Sequence, residues 1–417
     1  MSRSAMTPEM IPGTPEAIRS RTAPVGARTA PVGARTALVG ARIVLADRVV
    51  EDQALLLAGD RILGLAPRDA LPEDCLVEQM GGGWLLPGFI DVQVNGGGDV
   101  LLNDSPTVEG IRAIARAHRR YGTTGLLPTL ISDYAEAVDA AIAAGEAALA
   151  EGVPGVLGVH IEGPHLNPAK KGIHDQTRFA PVDAEVIARL AAPTLGRRVV
   201  TLAPELAPAG SVRALSEAGI LVCAGHSMAD YQQSHAALAE GLAGFTHLFN
   251  AMTQFLSRDP GMVGAALEDR ASYCGLIVDG FHVHPAAMRV AIKARGTEGI
   301  MLVTDAMPPV GGTRGAFTLM GTEITVADGK CTGPDGTLAG SALTMAEALR
   351  NTMDMLCCDI VTASRMASGN PARFLRLEHE TGTIAPGLRA DLVLLDEARR
   401  VRATWIGGER DDLGEDA

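Results

Sequence analysis

Eight short apolar runs, each closing on a polar residue, constrain this chain more than anything else in it. They are GFIDVQVN (88–95), GTTGLLPTL (122–130), GVLGVHIEG (155–163), RVVTLAPE (198–205), ILVCAGHS (220–227), AGFTHLFNA (243–251), YCGLIVDGFHV (273–283) and GIMLVTDA (299–306). Continuous apolar residues suit strands buried on both faces, as in a parallel sheet. Between several of the runs lie stretches with helical spacing, such as VEGIRAIARAHRRY and DYAEAVDAAIAAGEAALAE. Eight buried strands alternating with helices predict an α/β fold, a (β/α)8 TIM-type barrel.

The two ends of the chain read differently. Residues 36–87 and 377–417 hold short β runs (ALVGARIVLA, ALLLAGDRILGLA and GGGWLLPG; then GTIAPGLRADLVLLD and VRATWIGGE) with no helical period. Domain termini usually lie close together, so these segments are expected to pair into one small, discontinuous β-sandwich domain, with the barrel over 88–376. Residues 1–35 carry RTAPVGA from Arg21, the same seven residues from Arg28, and lead to RTALVGA from Arg35. So short a period suggests a recent duplication rather than a solenoid. A flexible N-terminal extension is expected there.

Composition excludes several functions. With 36 basic and 49 acidic residues the formal net charge is −13, and only 3% of residues are aromatic. Non-specific nucleic-acid binding needs phosphate neutralisation and stacking surfaces, so no nucleic-acid partner is expected. No apolar run approaches the ~20 residues of a membrane span, and no membrane association is expected. The six cysteines are scattered without a CxxC and read as reduced thiols of a cytoplasmic protein.

A barrel of this kind builds its active site at the C-terminal strand ends. Those ends supply Gln93 and Asn95, Glu162, Glu205, His226, His247, His282 and Asp305. Two imidazoles and a carboxylate with an open position suit a catalytic Zn²⁺ or Fe²⁺. An Asp on the last strand then suits a general base for the hydrolytic water. Met307-Pro308-Pro309 opens no helix, which weakens the plainer view of Asp305 as an N-cap. Glu205 stands evenly between orienting a ligand, meeting sugar hydroxyls and simply starting a helix, and is left outside the catalytic set.

The segment His160-Ile161-Glu162-Gly163-Pro164-His165-Leu166-Asn167 with Lys171-Gly172-Ile173-His174 resembles the HxEGPxxN…KGxH signature of the N-acetylglucosamine-6-phosphate deacetylase family, in the amidohydrolase superfamily. Gly225-His226-Ser227, Thr246-His247-Leu248-Phe249-Asn250-Ala251-Met252, Val303-Thr304-Asp305-Ala306 and Leu338-Ala339-Gly340-Ser341 extend the likeness in the family's order. LPGFID (86–91) and GLRADL (387–392) resemble the wider superfamily. The resemblance implies Glu162, His226 and His247 as metal ligands, Asp305 as base and then acid, and His174 as a donor to the acetyl oxygen. It also implies a phosphate pocket of Asn250, the Ala251 amide, Arg258 and His282, with Arg258 serving a neighbouring subunit of a homodimer. His282 and His284 alternate and are expected on opposite faces of a strand, with only His282 matching the motif.

Many amidohydrolases carry HxH at the first strand end, where this chain has Gln93-Val94-Asn95. Amide oxygens are poor Zn²⁺ ligands beside imidazole, so one divalent ion per subunit, zinc or iron, is expected. The implied reaction is deacetylation of N-acetylglucosamine 6-phosphate, a small amino-sugar phosphate. Its rivals are the galactosamine epimer, an unphosphorylated N-acetyl sugar, a cyclic-amide hydrolase and a non-catalytic sugar-phosphate binder. A cyclic-amide hydrolase usually needs HxH and a bridging lysine, and a mere binder has no need of Asp305.

Overall fold

The computed structural model describes residues 35–412. The two RTAPVGA copies and residues 413–417 lie outside the described residues. Eight strands form one parallel sheet: β1 (Phe89–Val94), β2 (Thr123–Ile131), β3 (Gly158–Glu162), β4 (Arg197–Leu202), β5 (Leu221–Ala224), β6 (Gly244–Phe245), β7 (Tyr273–Leu276) and β8 (Ile300–Leu302). Each lies beside the next in chain order, and a parallel bridge between Val94 and Ala306 brings the last strand back to the first. All eight runs expected as strands are strands. All but β2 are shorter than their runs, most of them because the polar end leaves the ladder at the barrel mouth.

Helices follow in alternation: α1 (Val108–Arg119), α2 (Ala135–Ala150), α3 (Ala184–Leu190), α4 (Ser211–Glu217), α5 (Tyr231–Ala239), α6 (Gly261–Glu268), α7 (Pro285–Arg295) and α8 (Met345–Leu356). Several carry capping side chains that satisfy otherwise orphaned N–H groups. Thr107 caps α1, Asp230 with Gln233 boxes α5, and Thr344 with Glu347 boxes α8. One apolar core, running from Phe89 and Leu126 through Val200 and Val222 to Leu302, joins the helices to the strands. Among the described residues no helix is long and apolar enough to cross a membrane.

Both ends of the chain build the companion β structure. One four-stranded sheet comes wholly from residues before the barrel (Arg35–Val39, Gln53–Ala58, Arg61–Pro67 and Cys75–Gln79). The other sheet pairs Trp84–Pro87 antiparallel with Leu392–Leu395, and so ties one end to the other. Leu38, Ile43, Leu55, Leu85, Leu392 and Trp405 fill the space between the two sheets.

The third heptapeptide copy belongs to this domain: its Arg35 begins the first strand, one residue earlier than expected. That strand is central, paired antiparallel on one side and parallel on the other. The earlier copies have proline at the place that Leu38 takes in the third, and proline has no N–H for a ladder.

A further sheet was not foreseen. Ala316–Leu319, Thr322–Ala327, Lys330–Thr332 and Leu338–Ser341 form an antiparallel insert between β8 and α8. Its apolar face, Leu319, Ile324 and Cys331, packs over Met307 and Ile173 beside the barrel mouth. Replacing Leu38 with proline should therefore cost roughly 3 kcal/mol or more, read as a lowered midpoint of chemical unfolding. Leu38→Ala, which keeps the N–H, should cost less.

Candidate active site

The strand ends converge as the barrel geometry requires. Glu162 closes β3, and His226 and His247 lie just beyond β5 and β6. His247 Nε2 is 3.0 Å from Glu162 Oε1 and 3.0 Å from His226 Nε2, and His226 Nε2 is 3.3 Å from the same carboxylate oxygen. Their ligand atoms all lie within 4.8 Å of one another, and all three residues are buried.

His226 Nδ1 donates to the Lys170 carbonyl at 2.8 Å. A carbonyl can only accept, so Nδ1 carries the hydrogen and Nε2 turns a lone pair to the cluster. Burial alone would raise the Glu162 carboxyl, but the imidazoles of His226 and His247 beside it hold it well below its ordinary range. Burial alone would lower His247, and the bond to Glu162 leaves it raised instead. The three groups thus share a demand for positive charge at their centre, and the donor set fits a divalent metal of borderline softness.

Asp305 follows β8 at the same mouth. Asn95 Nδ2 donates to its Oδ1 at 2.7 Å, and Gln93 Nε2 donates both to Asp305 Oδ1 at 3.2 Å and to Glu162 Oε2 at 3.0 Å. The pair that replaces HxH is thus occupied as hydrogen-bond donors to two carboxylates. Removal from water and the nearby Glu162 charge raise the Asp305 pKa. The LAGS segment holds its main chain: Ser341 N donates to Asp305 O at 2.9 Å, and Ser341 Oγ to Thr304 O at 2.6 Å. Thr304 in turn donates to Asp91 of LPGFID, whose carboxyl burial pushes up to about 7.

His174 lies on the loop after β3, its ring centre 4.4 Å from that of His226. The Ser132 N–H donates to His174 Nδ1 at 3.3 Å, and Ser132 Oγ lies 2.8 Å from the same atom. Nδ1 is therefore an acceptor and Nε2 bears the hydrogen. Burial, followed by the neighbouring His226, lowers this group to about 3, so it stays neutral and keeps its Nε2–H donor.

Backbone conformation marks the same residues. His226, His247, Phe249, Ala251 and Asp305 have φ of +48°, +35°, +79°, +49° and +53°. Left-handed φ at residues other than glycine is costly, and clusters where surrounding structure over-determines the chain.

The four residues implied for a phosphate pocket are less closely joined. Asn250 is half-buried and donates to His247 O at 3.2 Å, and Ala251 is half-buried beside it. His282 donates from Nδ1 to Asp279 Oδ2 at 2.6 Å, and the N–H groups of Phe281 and His282 donate to Asp279 Oδ1. His282 and His284 do not share a strand, contrary to expectation. β7 stops at Leu276, Gly280 takes φ of +78°, and Asp279 folds the chain into a turn. His284 instead caps α7, its Nδ1 accepting from Ala286 N. Arg258 is exposed in the loop after β6, and none of its own chain's described residues bonds or pairs with it.

Sequence reasoning did not single out Ser132 or Asp279. Asp279 carried a weak signal, three residues before His282 in DGFH. Ser132 carried none, since its partner lies 42 residues away. Glu205 accepts hydrogen bonds from the loops of β3 and β5.

The Amidohydrolase family pattern matches residues 84–410. The N-acetylgalactosamine-6-phosphate deacetylase of Shewanella sp. (strain ANA-3) is 42% identical over 327 residues, 78% of this chain and 83% of the relative. The N-acetylglucosamine-6-phosphate deacetylase of Bos taurus is 39% identical over 345 residues, 79% of this chain and 83% of the relative. The crystal structure of N-acetylglucosamine-6-phosphate deacetylase from Pasteurella multocida superposes with a TM-score of 0.88 at 33% identity, covering 91% of this chain and all of the other. This chain belongs to the amidohydrolase family.

Three buried histidines also set a pH response. Burial lowers His118 and His160 to about 4 and His174 to about 3, from an ordinary 6.5. Between about pH 4 and 6.5 the unfolded chain binds more protons, so stability is full above that window and falls on acidification. His118, bonded to Gly96 O at 2.9 Å, is remote from the ligand cluster. His118→Gln should remove up to one proton from the slope of stability against pH there, on the order of 3 kcal/mol across the window. Urea unfolding at a series of pH values measures it.

Proposed function

We propose that this chain is a metal-dependent deacetylase that hydrolyses N-acetylglucosamine 6-phosphate to glucosamine 6-phosphate and acetate. The observation that carries this reading is the joining of two groups at one barrel mouth. The Glu162–His226–His247 cluster is tied through Gln93 to a free-standing carboxylate, Asp305. Relatives carrying this activity in their names match along most of their length.

Glu162, His226 and His247 would hold one divalent ion per subunit, zinc or ferrous iron. When bound, such an ion supplies Lewis acidity toward the acetyl oxygen and makes water easier to deprotonate. The chain's own residues do the rest. Asp305, aimed by Asn95 and Gln93, takes a proton from the water that adds to the amide carbon. His174 donates its Nε2–H to the carbonyl oxygen as that atom gains charge. Asp305 then returns the proton to the sugar nitrogen, the C–N bond breaks, and acetate and the amine leave. The raised Asp305 pKa suits this double duty, since a group nearer neutrality both accepts and returns a proton.

We place the phosphate against Asn250, the Ala251 N–H and His282, whose ring Asp279 orients. Arg258 contributes from a neighbouring copy in a homodimer. Phe255 and Leu256 beside it are 61% and 59% exposed, an apolar surface that a second copy suits. The expected compartment is the cytoplasm. The galactosamine epimer is the second reading, because a relative bearing that name is 42% identical. It is not better supported than the first, since both names occur at similar identity.

Acetate release should require the metal, cease on chelation, and favour the glucosamine over the galactosamine substrate in kcat/KM. Asp305→Asn should lower kcat by about 10²–10⁴-fold while metal content stays at the wild-type level. Near-native turnover in that folded variant would falsify the base assignment. His174→Ala should lower kcat by about 10²–10³-fold, with KM changed far less.

A further inference from the structure

We infer that Glu205 is the positioning residue that sets the ring and main chain of His226, and so prepares the metal cluster. This rests on the metal-site reading above. Glu205 lies in the turn Pro204–Leu206 after β4, yet its hydrogen-bond partners come from two other loops. Its Oε1 accepts from Asn167 Nδ2 at 2.9 Å and from Met228 N at 2.6 Å, and its Oε2 accepts from Ser227 Oγ at 2.5 Å. Three of a carboxylate's roughly four acceptor sites are therefore filled by the chain itself. Glu205 is not within the cluster of candidate ligands. A ligand role and a main role toward sugar hydroxyls both give way to a structural one.

The partners lead to His226 by two routes. Ser227 and Met228 follow His226 directly, so the carboxylate anchors the chain where it leaves a left-handed φ of +48°. The second route runs through Asn167. Its N–H donates to His226 O at 2.9 Å, and its Oδ1 accepts from Ala169 N at 2.9 Å. That cap holds the short turn Pro168–Lys170, and the Lys170 carbonyl is the group that takes the His226 Nδ1–H at 2.8 Å. One carboxylate thus fixes both the backbone of His226 and the partner that selects its tautomer. Ligand orientation in metal sites commonly depends on such supporting groups.

The test compares wild type with Glu205→Ala and Glu205→Gln, the second keeping one acceptor oxygen and nearly the same shape. Metal-free protein is titrated with Co²⁺ and followed by its visible spectrum, and the imidazole nitrogens of His226 are followed by NMR without metal. Circular dichroism establishes folding. The expected result is a Co²⁺ affinity lower by about 10–100-fold in Glu205→Ala, with a changed spectrum and a smaller loss in Glu205→Gln. The metal-free His226 should lose its clean Nδ1–H signature in step. Should Glu205→Ala fail to fold, the same signs in Glu205→Gln support the assignment. Wild-type Co²⁺ affinity, spectrum and tautomer in a folded variant overturn it. If wild type takes up no Co²⁺, the metal reading falls, and the tautomer comparison still decides the role of Glu205.

Discussion

The side-chain amide of Gln93 stands between two buried carboxylates that would otherwise repel each other. One nitrogen donates to both Glu162 and Asp305, and Asn95 adds a second donor to Asp305. Like charges at such range raise one another's pKa unless donors or cations intervene. The arrangement separates their chemistry. Two imidazoles draw Glu162 down, whereas Asp305 is left raised. Because Gln93 is the penultimate residue of β1 and the chain beyond β8 bridges to Val94, the closure of the barrel itself brings this amide and Asp305 together.

That closure also explains how the site tolerates unfavourable backbone. His226, His247 and Asp305 each follow their strands with left-handed φ without being glycine. Such turns persist only where neighbours hold both sides. Ser341 holds Asp305 by main chain, Glu205 and Asn167 hold His226, and the His247 carbonyl accepts from Asn250. The strain is local, and the barrel core supplies the stability that supports it.

The barrel was legible because parallel strands buried on both faces leave continuous apolar runs, and all eight do. Glu162, His226, His247 and Asp305 were legible as polar residues that end such runs. What stayed hidden depends on contacts between distant loops. Ser132 sets the His174 tautomer from another strand end, and nothing within its own run marks it. The insert around Leu319, Ile324 and Cys331 has short strands that face partly outward, so its pattern resembles a loop. His282 and His284 misled because period-two spacing says nothing about where a strand stops: β7 ends at Leu276, and Asp279 folds the chain beyond it into a turn.

The identity of the first-strand pair bears on how many ions the site can organise. In a two-metal arrangement that pair would turn lone pairs toward a cation. Here both amides turn N–H groups toward carboxylates, and a carboxylate can only accept. Rotating either amide to present oxygen would face it against Asp305 and remove the donors that keep Glu162 and Asp305 compatible. The amide pair therefore acts as more than a missing second ligand set. It supplies donors to two buried carboxylates where a second charge would otherwise be needed.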